Sequence, residues 1–189
     1  MRTLVFLAAS LSLFVAAHAG DRGRPAALRE LDRAVGRWVF HGRRLSPRPG
    51  VWTWHADCRW SRPDRRFLEC TFDNDWNGRR VRSLVVDTYN THDHVFWHYE
   101  MFAAGAGGAR PFVSRLIIHP DLWVEESPGH PGRGAERIVY RYLSAHRVRV
   151  AIEVRSPNGS WTRVDRGVGQ RLPPRRSRAV RGQGRPRHP

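Results

Sequence analysis

Apolar and polar side chains alternate in short segments along most of this chain, from Trp38 to Gln170. The clearest segment is Arg147–Arg155, where every second residue is apolar. A period of two is the spacing of a β-strand with one buried face. Turn-forming sequences such as Asn90–Asp93 and Pro157–Gly159 separate the segments. We predict nine or ten strands at short, regular spacing, a pattern that favours an all-β antiparallel barrel or sandwich.

A short helix is predicted before the strands and an arginine-rich tail after them. Pro25–Val35 carries Leu28 and Leu31 at helical spacing, followed by the apolar Val35, so one face of this helix is apolar. Pro173–Pro189 consists mainly of proline, arginine, glycine and serine. Such a segment has almost nothing to bury, and we expect it to be disordered.

The first nineteen residues have the layout of a secretory signal peptide. A positive start at Arg2 is followed by the apolar run Leu4–Ala17, and Ala17-His18-Ala19 forms a small-x-small cleavage site. The run is shorter than the roughly 20 residues that a membrane-spanning helix needs. We therefore expect residues 1–19 to be removed and residues 20–172 to form one barrel domain without a transmembrane segment. The expected location is periplasmic or secreted, and an uncleaved N-terminal anchor is the alternative.

The chain is strongly basic, with a formal net charge of +16, and arginine supplies all of its positive charges because the sequence contains no lysine. Six of the arginines lie in the tail. An excess of positive charge can indicate nucleic acid, anionic lipid or an acidic polymer as partner. Export argues against nucleic acid, and the absence of lysine is typical of a biased coding composition. We expect no specific nucleic-acid partner and keep an anionic surface as a candidate partner of the tail.

The two cysteines are placed symmetrically about a predicted turn. Cys58 lies six residues before Asp64, at the centre of the turn Pro63–Arg65, and Cys70 lies six residues after it. In an antiparallel hairpin they are directly opposite each other and on the same face, close enough for a disulfide. Because exported proteins meet oxidising conditions, we predict a Cys58–Cys70 disulfide. Free thiols are the alternative, and without a matching pair of histidines the cysteines make a poor zinc site.

The order of these elements resembles the calycin class of barrels, which includes lipocalins and fatty-acid-binding proteins. A short helix leads to Gly36-Arg37-Trp38 at the start of the first strand, and a cysteine-bearing hairpin and further strands follow. The similarity covers Leu28–Leu172 and implies an up-and-down barrel of about eight to ten strands with a ligand cavity. Similarity is greatest to a group of exported bacterial barrels of unknown function, and rests on Cys58-x-Trp60, Arg66-Phe67-Leu68-x-Cys70, Leu84–Tyr89 and Val95-Phe96-Trp97.

The resemblance also implies a role for two residues at the closed end of the barrel. In the lipocalin branch the tryptophan of Gly-x-Trp lies at that end, and an arginine from the last strand covers it. Trp38 would be this tryptophan, and Arg171, or else Arg166, would be its cover through a cation–π contact.

The candidate ligand-binding residues lie on two of the predicted strands. His98 and Glu100 are two residues apart and therefore share one face of a strand. If that face points inward, they form a polar pair in an otherwise apolar cavity; if it points outward, they lie on the barrel exterior. Phe96 and Phe102 share the face of His98 and Glu100. We expect Tyr140 and Tyr142 to line the same cavity opposite Ile152, or simply to fill it.

A histidine cluster offers a second interpretation. Imidazoles spaced as His92, His94 and His98 can converge on a metal ion, and the pattern resembles half of a cupin motif whose partner segment is missing. The alternative places His92 and His94 in a solvated turn, and we predict no metal and no cofactor. In a haem-binding barrel, His98 or His119 would be the axial ligand.

Three functions are consistent with these observations. The first is an exported barrel that binds a small hydrophobic or amphipathic ligand. The second is a histidine-based metal or haem protein or enzyme, although no serine-histidine-aspartate order, phosphate loop or zinc-protease motif is present. The third is a cell-envelope protein that binds an anionic polymer or lipid through its basic surface and tail. We favour the first and do not expect an enzyme.

Overall fold

The structure is a computed structural model that describes residues 24–103, 112–128 and 134–174. Ten antiparallel strands form a closed barrel in which each strand pairs with its neighbours in the chain, and β1 pairs with β10. The all-β up-and-down barrel is therefore confirmed. The strands are β1 (Gly36–Arg44), β2 (Gly50–Trp60), β3 (Phe67–Trp76), β4 (Arg79–Asn90), β5 (Val95–Phe102), β6 (Phe112–Ile118), β7 (Leu122–Ser127), β8 (Glu136–Ser144), β9 (Arg147–Arg155) and β10 (Trp161–Arg171).

The predicted signal peptide and nearly all of the predicted tail lie outside the described residues, as does most of the Ala/Gly stretch between β5 and β6. The described part of the chain contains no helix with the length and apolar character that a membrane crossing requires.

The predicted helix is a 3₁₀ helix that covers Ala26–Arg33. Three residues per turn place Leu28 and Leu31 on one face, and both are completely buried. The indole of Trp38 donates a hydrogen bond of 2.9 Å to the carbonyl of Ala34, and that of Trp60 donates one of 2.7 Å to Asp32. These bonds hold the helix across one end of the barrel, which we call the closed end.

The third strand is longer than the sequence pattern predicts. The alternation of Leu68, Cys70 and Phe72 predicts a strand that ends at Phe72, but β3 continues to Trp76 and β4 begins at Arg79. Asn77 and Gly78 both have positive φ, at 51° and 83°, and Gly78 N–H donates a hydrogen bond of 2.7 Å to the Asp75 carboxylate within this tight hairpin. The side-chain oxygen of Asn77 accepts a hydrogen bond of 3.0 Å from Val51 N–H of β2. Asn-Gly is a favoured sequence for such a turn, so the run of polar residues from Asp73 to Asp75 belongs to the hairpin.

Two glycines allow a tryptophan to lie against the barrel wall. Gly42 of β1 is directly opposite Gly167 of β10, and a Cβ atom on either would overlap the indole of Trp52. Trp52 in turn stacks on Trp54, with ring centroids 4.1 Å apart. The glycine pair therefore makes room for the aromatic residues that fill this side of the interior.

The hairpin β2–β3 has the predicted register. Cys58 is paired directly with Cys70, and the two form a disulfide. Both cysteines face the interior and are almost completely buried. The predicted disulfide is thus confirmed, and it joins the two strands close to the closed end.

Candidate functional site

The barrel contains a cavity of about 560 Å³ in the half away from the 3₁₀ helix. This volume is within the range of small-molecule sites in proteins. Residues from all ten strands form its wall, and the β1–β2 connection contributes Ser46 and Pro47. The other lining residues are Arg44, Trp54, Phe72, Asn74, Trp76, Val85, His98, Glu100, Phe102, Phe112, Glu125, Glu136, Ile138, Tyr140, Ile152, Val154, Val164 and Asp165.

Four of the six candidate ligand-binding residues line this cavity: His98, Glu100, Phe102 and Tyr140. The face of β5 that carries His98 and Glu100 therefore points inward. Tyr140 is paired with Val150, and it is Ile138 that lies opposite Ile152. The contact of these side chains with a ligand remains a prediction.

The other two candidates, Phe96 and Tyr142, lie nearer the closed end and do not line the cavity. The ring of Phe96 packs against Tyr89, with centroids 4.8 Å apart. The ring of Tyr142 packs between Trp123 and Trp38, at 5.0 Å and 6.4 Å. The barrel is filled with aromatic rings at this depth, because the 3₁₀ helix closes the end next to them.

The closed end also holds the pair implied by the calycin resemblance. Trp38 and Arg171 are paired across β1 and β10, and the guanidinium lies 4.8 Å from the centre of the Trp38 ring. Arg171 also donates a hydrogen bond to the carbonyl of Arg33. Arg166 is on the outer face and exposed, so it does not cover Trp38.

A buried polar network begins at His98. Its Nδ1 lies 2.7 Å from Oδ1 of Asp87, the residue directly opposite on β4. Its Nε2 lies 3.5 Å from Oε1 of Glu125, and Ser114 donates a hydrogen bond of 2.7 Å to the same oxygen. All four side chains are buried. The network spans four neighbouring strands, and two of its members, His98 and Glu125, line the cavity.

The two carboxylates keep His98 protonated. Burial alone would lower the pKa of the imidazole, but the negative charges of Glu125 and Asp87 and the hydrogen bond that the imidazolium donates to Asp87 raise it from 6.5 to about 10. The side chain is therefore an imidazolium at neutral pH, and both ring nitrogens carry hydrogen. Asp87, Glu125 and Ser114 were missed by the sequence analysis, although each is a polar residue at an inward position of its strand.

The histidines do not converge. His92 and His94 are exposed in the β4–β5 turn, where His92 contacts Asp93 and His94 contacts the hydroxyl of Tyr89. His119 is exposed in the β6–β7 turn. The two ring nitrogens of His98 already face carboxylates, which leaves neither of them for an iron atom. Among the described residues, no group of three or more histidine, cysteine or acidic side chains could hold a metal ion.

Several polar groups of the wall have no protein partner. Within the described part of the chain, the buried indole nitrogen of Trp54 and the buried side-chain oxygen of Asn74 make no hydrogen bond. The two residues are directly opposite each other on β2 and β3, and both line the cavity. An unpaired donor and an unpaired acceptor are costly when buried. Both atoms have almost no accessible surface, so they lie within the wall and do not face the open space of the cavity.

Burial also affects the carboxyl groups of the cavity. It raises the pKa of Glu100, and the charges of Glu125 and Glu136 act in the same direction. Burial likewise raises the pKa of Asp165, opposed by the nearby Arg44 at 3.5 Å. Arg44 in turn lies over the ring of Trp76 at 4.5 Å. The cavity is therefore an aromatic space with carboxyl groups in its wall.

The sequence matches no family model and no curated protein. Two solved structures share the fold. Rv2717c from M. tuberculosis is 14% identical with a TM-score of 0.54, over 79% of this chain and 99% of its own. The S-type phycobiliprotein lyase CPES from Guillardia theta is 7% identical with a TM-score of 0.53, over 79% of this chain and 94% of its own. Identities this low show the fold alone, and that fold fits the predicted calycin-like barrel.

Proposed function

We propose that this chain is an exported binding protein that holds one small amphipathic molecule inside its barrel. The observation that carries the proposal is the cavity of about 560 Å³, whose wall combines aromatic rings with the polar side chains of His98, Glu100 and Glu125. Tightly packed barrels fill such a space with side chains. A cavity with aromatic walls and a few polar groups suits a ligand that has an apolar body and a polar part.

Export is supported by two features. The first is the signal-peptide layout of residues 1–19, with its cleavage site at Ala17-His18-Ala19. The second is the Cys58–Cys70 disulfide, since structural disulfides form and persist in oxidising compartments. A binding protein in such a compartment would meet its ligand outside the cytoplasm.

The fold neighbours are compatible with this function. One of them is a phycobiliprotein lyase, according to its description. We carry over no reaction from that protein, because an identity of 7% shows the fold alone. The shared fold is compatible with a barrel that binds a small molecule.

Native mass spectrometry of the full chain, purified from an exporting host, tests the proposal. We expect an adduct of a few hundred daltons, one per chain, that is released when the protein is denatured. A mature mass that lacks residues 1–19 is expected in the same spectrum. A chain that never carries an adduct, even after incubation with a lipid-soluble extract of its host, would contradict ligand binding.

A further inference from the structure

Among the described residues, the cavity wall has more acidic than basic groups, although the chain as a whole has a net charge of +16. Four of the described carboxyl side chains line it, against two described basic ones, Arg44 and His98. Both basic groups already face acidic partners: Arg44 lies 3.5 Å from Asp165, and His98 lies 2.7 Å from Asp87. Neither basic group is therefore available to neutralise a negatively charged ligand.

Glu100 is the carboxyl group best placed to meet a ligand. It lies on β5 between His98 and Phe102, lines the cavity, and is directly opposite Phe112. In the described part of the chain, no arginine lies within 4.0 Å of its carboxyl oxygens. The positive charge of His98 offsets only part of the cost of burying this carboxylate, and a cation brought by a ligand would reduce the cost further.

Aromatic rings surround the same space. The lining includes Trp54, Phe72, Trp76, Phe102, Phe112 and Tyr140. The faces of such rings attract cations, most strongly where water is excluded. A cation between Glu100 and these rings would gain from both interactions, whereas a carboxylate in the same position would be repelled by both.

We propose that the ligand of this cavity is a cationic amphiphile, an ammonium or similar group on an apolar body, and that Glu100 is its counter-ion. The inference rests on the proposed ligand-binding function and adds the charge of the ligand to it. The arginines on the barrel exterior act at longer range and through water, where salt screens charges over about 8–10 Å. The groups in the wall therefore decide the selectivity.

Competition between head groups tests the proposal. Nile red, a neutral dye, is bound first and then displaced by octylammonium, octanol or octanoate, which share one chain length and differ in charge. We expect octylammonium to compete at least ten times better than octanoate, with octanol between them. Glu100→Gln should weaken the binding of octylammonium about tenfold and change the binding of octanol less than twofold. The matched control is Glu69→Gln, on the outer face of β3, which should change the binding of neither competitor.

The outcomes separate the two proposals. If Nile red does not bind at all, the ligand-binding function fails and the inference fails with it. If the dye binds but octanoate competes as well as octylammonium, the cationic selectivity is overturned while the cavity stands as a binding site. This comparison uses the unmodified chain, so it is decisive even if Glu100→Gln folds poorly. Unchanged competition in a folded Glu100→Gln variant would remove Glu100 as the counter-ion.

Discussion

Replacing His98 with glutamine is expected to destabilise the protein by about 3–5 kcal/mol, the usual cost of breaking a buried ion pair by removing one partner. The substitution leaves Asp87 and Glu125 buried without the cation between them. Adding Asp87→Asn to the variant should recover more than 1 kcal/mol, because one of the two unpaired carboxylates is then removed. Urea unfolding monitored by tryptophan fluorescence measures all three free energies.

The same experiment has a pH dependence with a defined sign. The pKa of His98 is raised from 6.5 to about 10, so the folded state holds this proton more tightly than the unfolded state. Its contribution is complete below about pH 6.5 and is lost as the pH rises towards 10. Between pH 6.5 and 9.5 the free energy of unfolding of the native protein should fall, whereas that of the His98→Gln variant should not show this fall. The control variant is His55→Gln, at an exposed position of β2, and its free energy of unfolding should fall with pH as in the native protein. A native protein whose free energy of unfolding does not fall over this range would contradict the buried imidazolium.

Loss of the disulfide is the second large effect expected. Replacing both Cys58 and Cys70 with alanine should lower the free energy of unfolding by about 2–4 kcal/mol, chiefly because the unfolded chain loses its cross-link. The two cysteines enclose a short segment and are both buried, so small side chains fit in their place. Differential scanning calorimetry of the native and double-alanine proteins measures the change.

The native protein under reducing conditions is the control for that comparison. It should match the double-alanine variant to within about 1 kcal/mol, since both lack the cross-link. A variant as stable as the oxidised native protein would show that the cross-link contributes nothing to folding.

The strand pattern and the cysteine pair could be predicted because both depend on local sequence. Alternation identified the strands, and the symmetry of Cys58 and Cys70 about Asp64 fixed one hairpin register. The end of β3 was missed because Asp73–Asp75 is polar on both faces, and only the Asn77-Gly78 turn shows that the strand continues.

The depth of each side chain within the barrel could not be predicted. Phe96 and Phe102 lie on the same face of β5, yet only Phe102 lines the cavity. Which end is filled depends on strand tilt and stagger around the whole barrel and on the helix that closes one end. The network from Asp87 to Glu125 depends on three successive registers, and an error of one residue in any of them would turn these side chains outward.

A Nile red titration of a matched pair of variants tests ligand binding inside the barrel most directly. Ile138 lines the cavity, and Val139, the next residue of β8, points to the outer face. Tryptophan at position 138 fills the cavity, whereas tryptophan at position 139 leaves it unchanged. We predict one saturable site per chain in the native protein and in Val139→Trp, and loss of that site in Ile138→Trp. No saturable site in the native protein, or equal binding by both variants, would contradict the account.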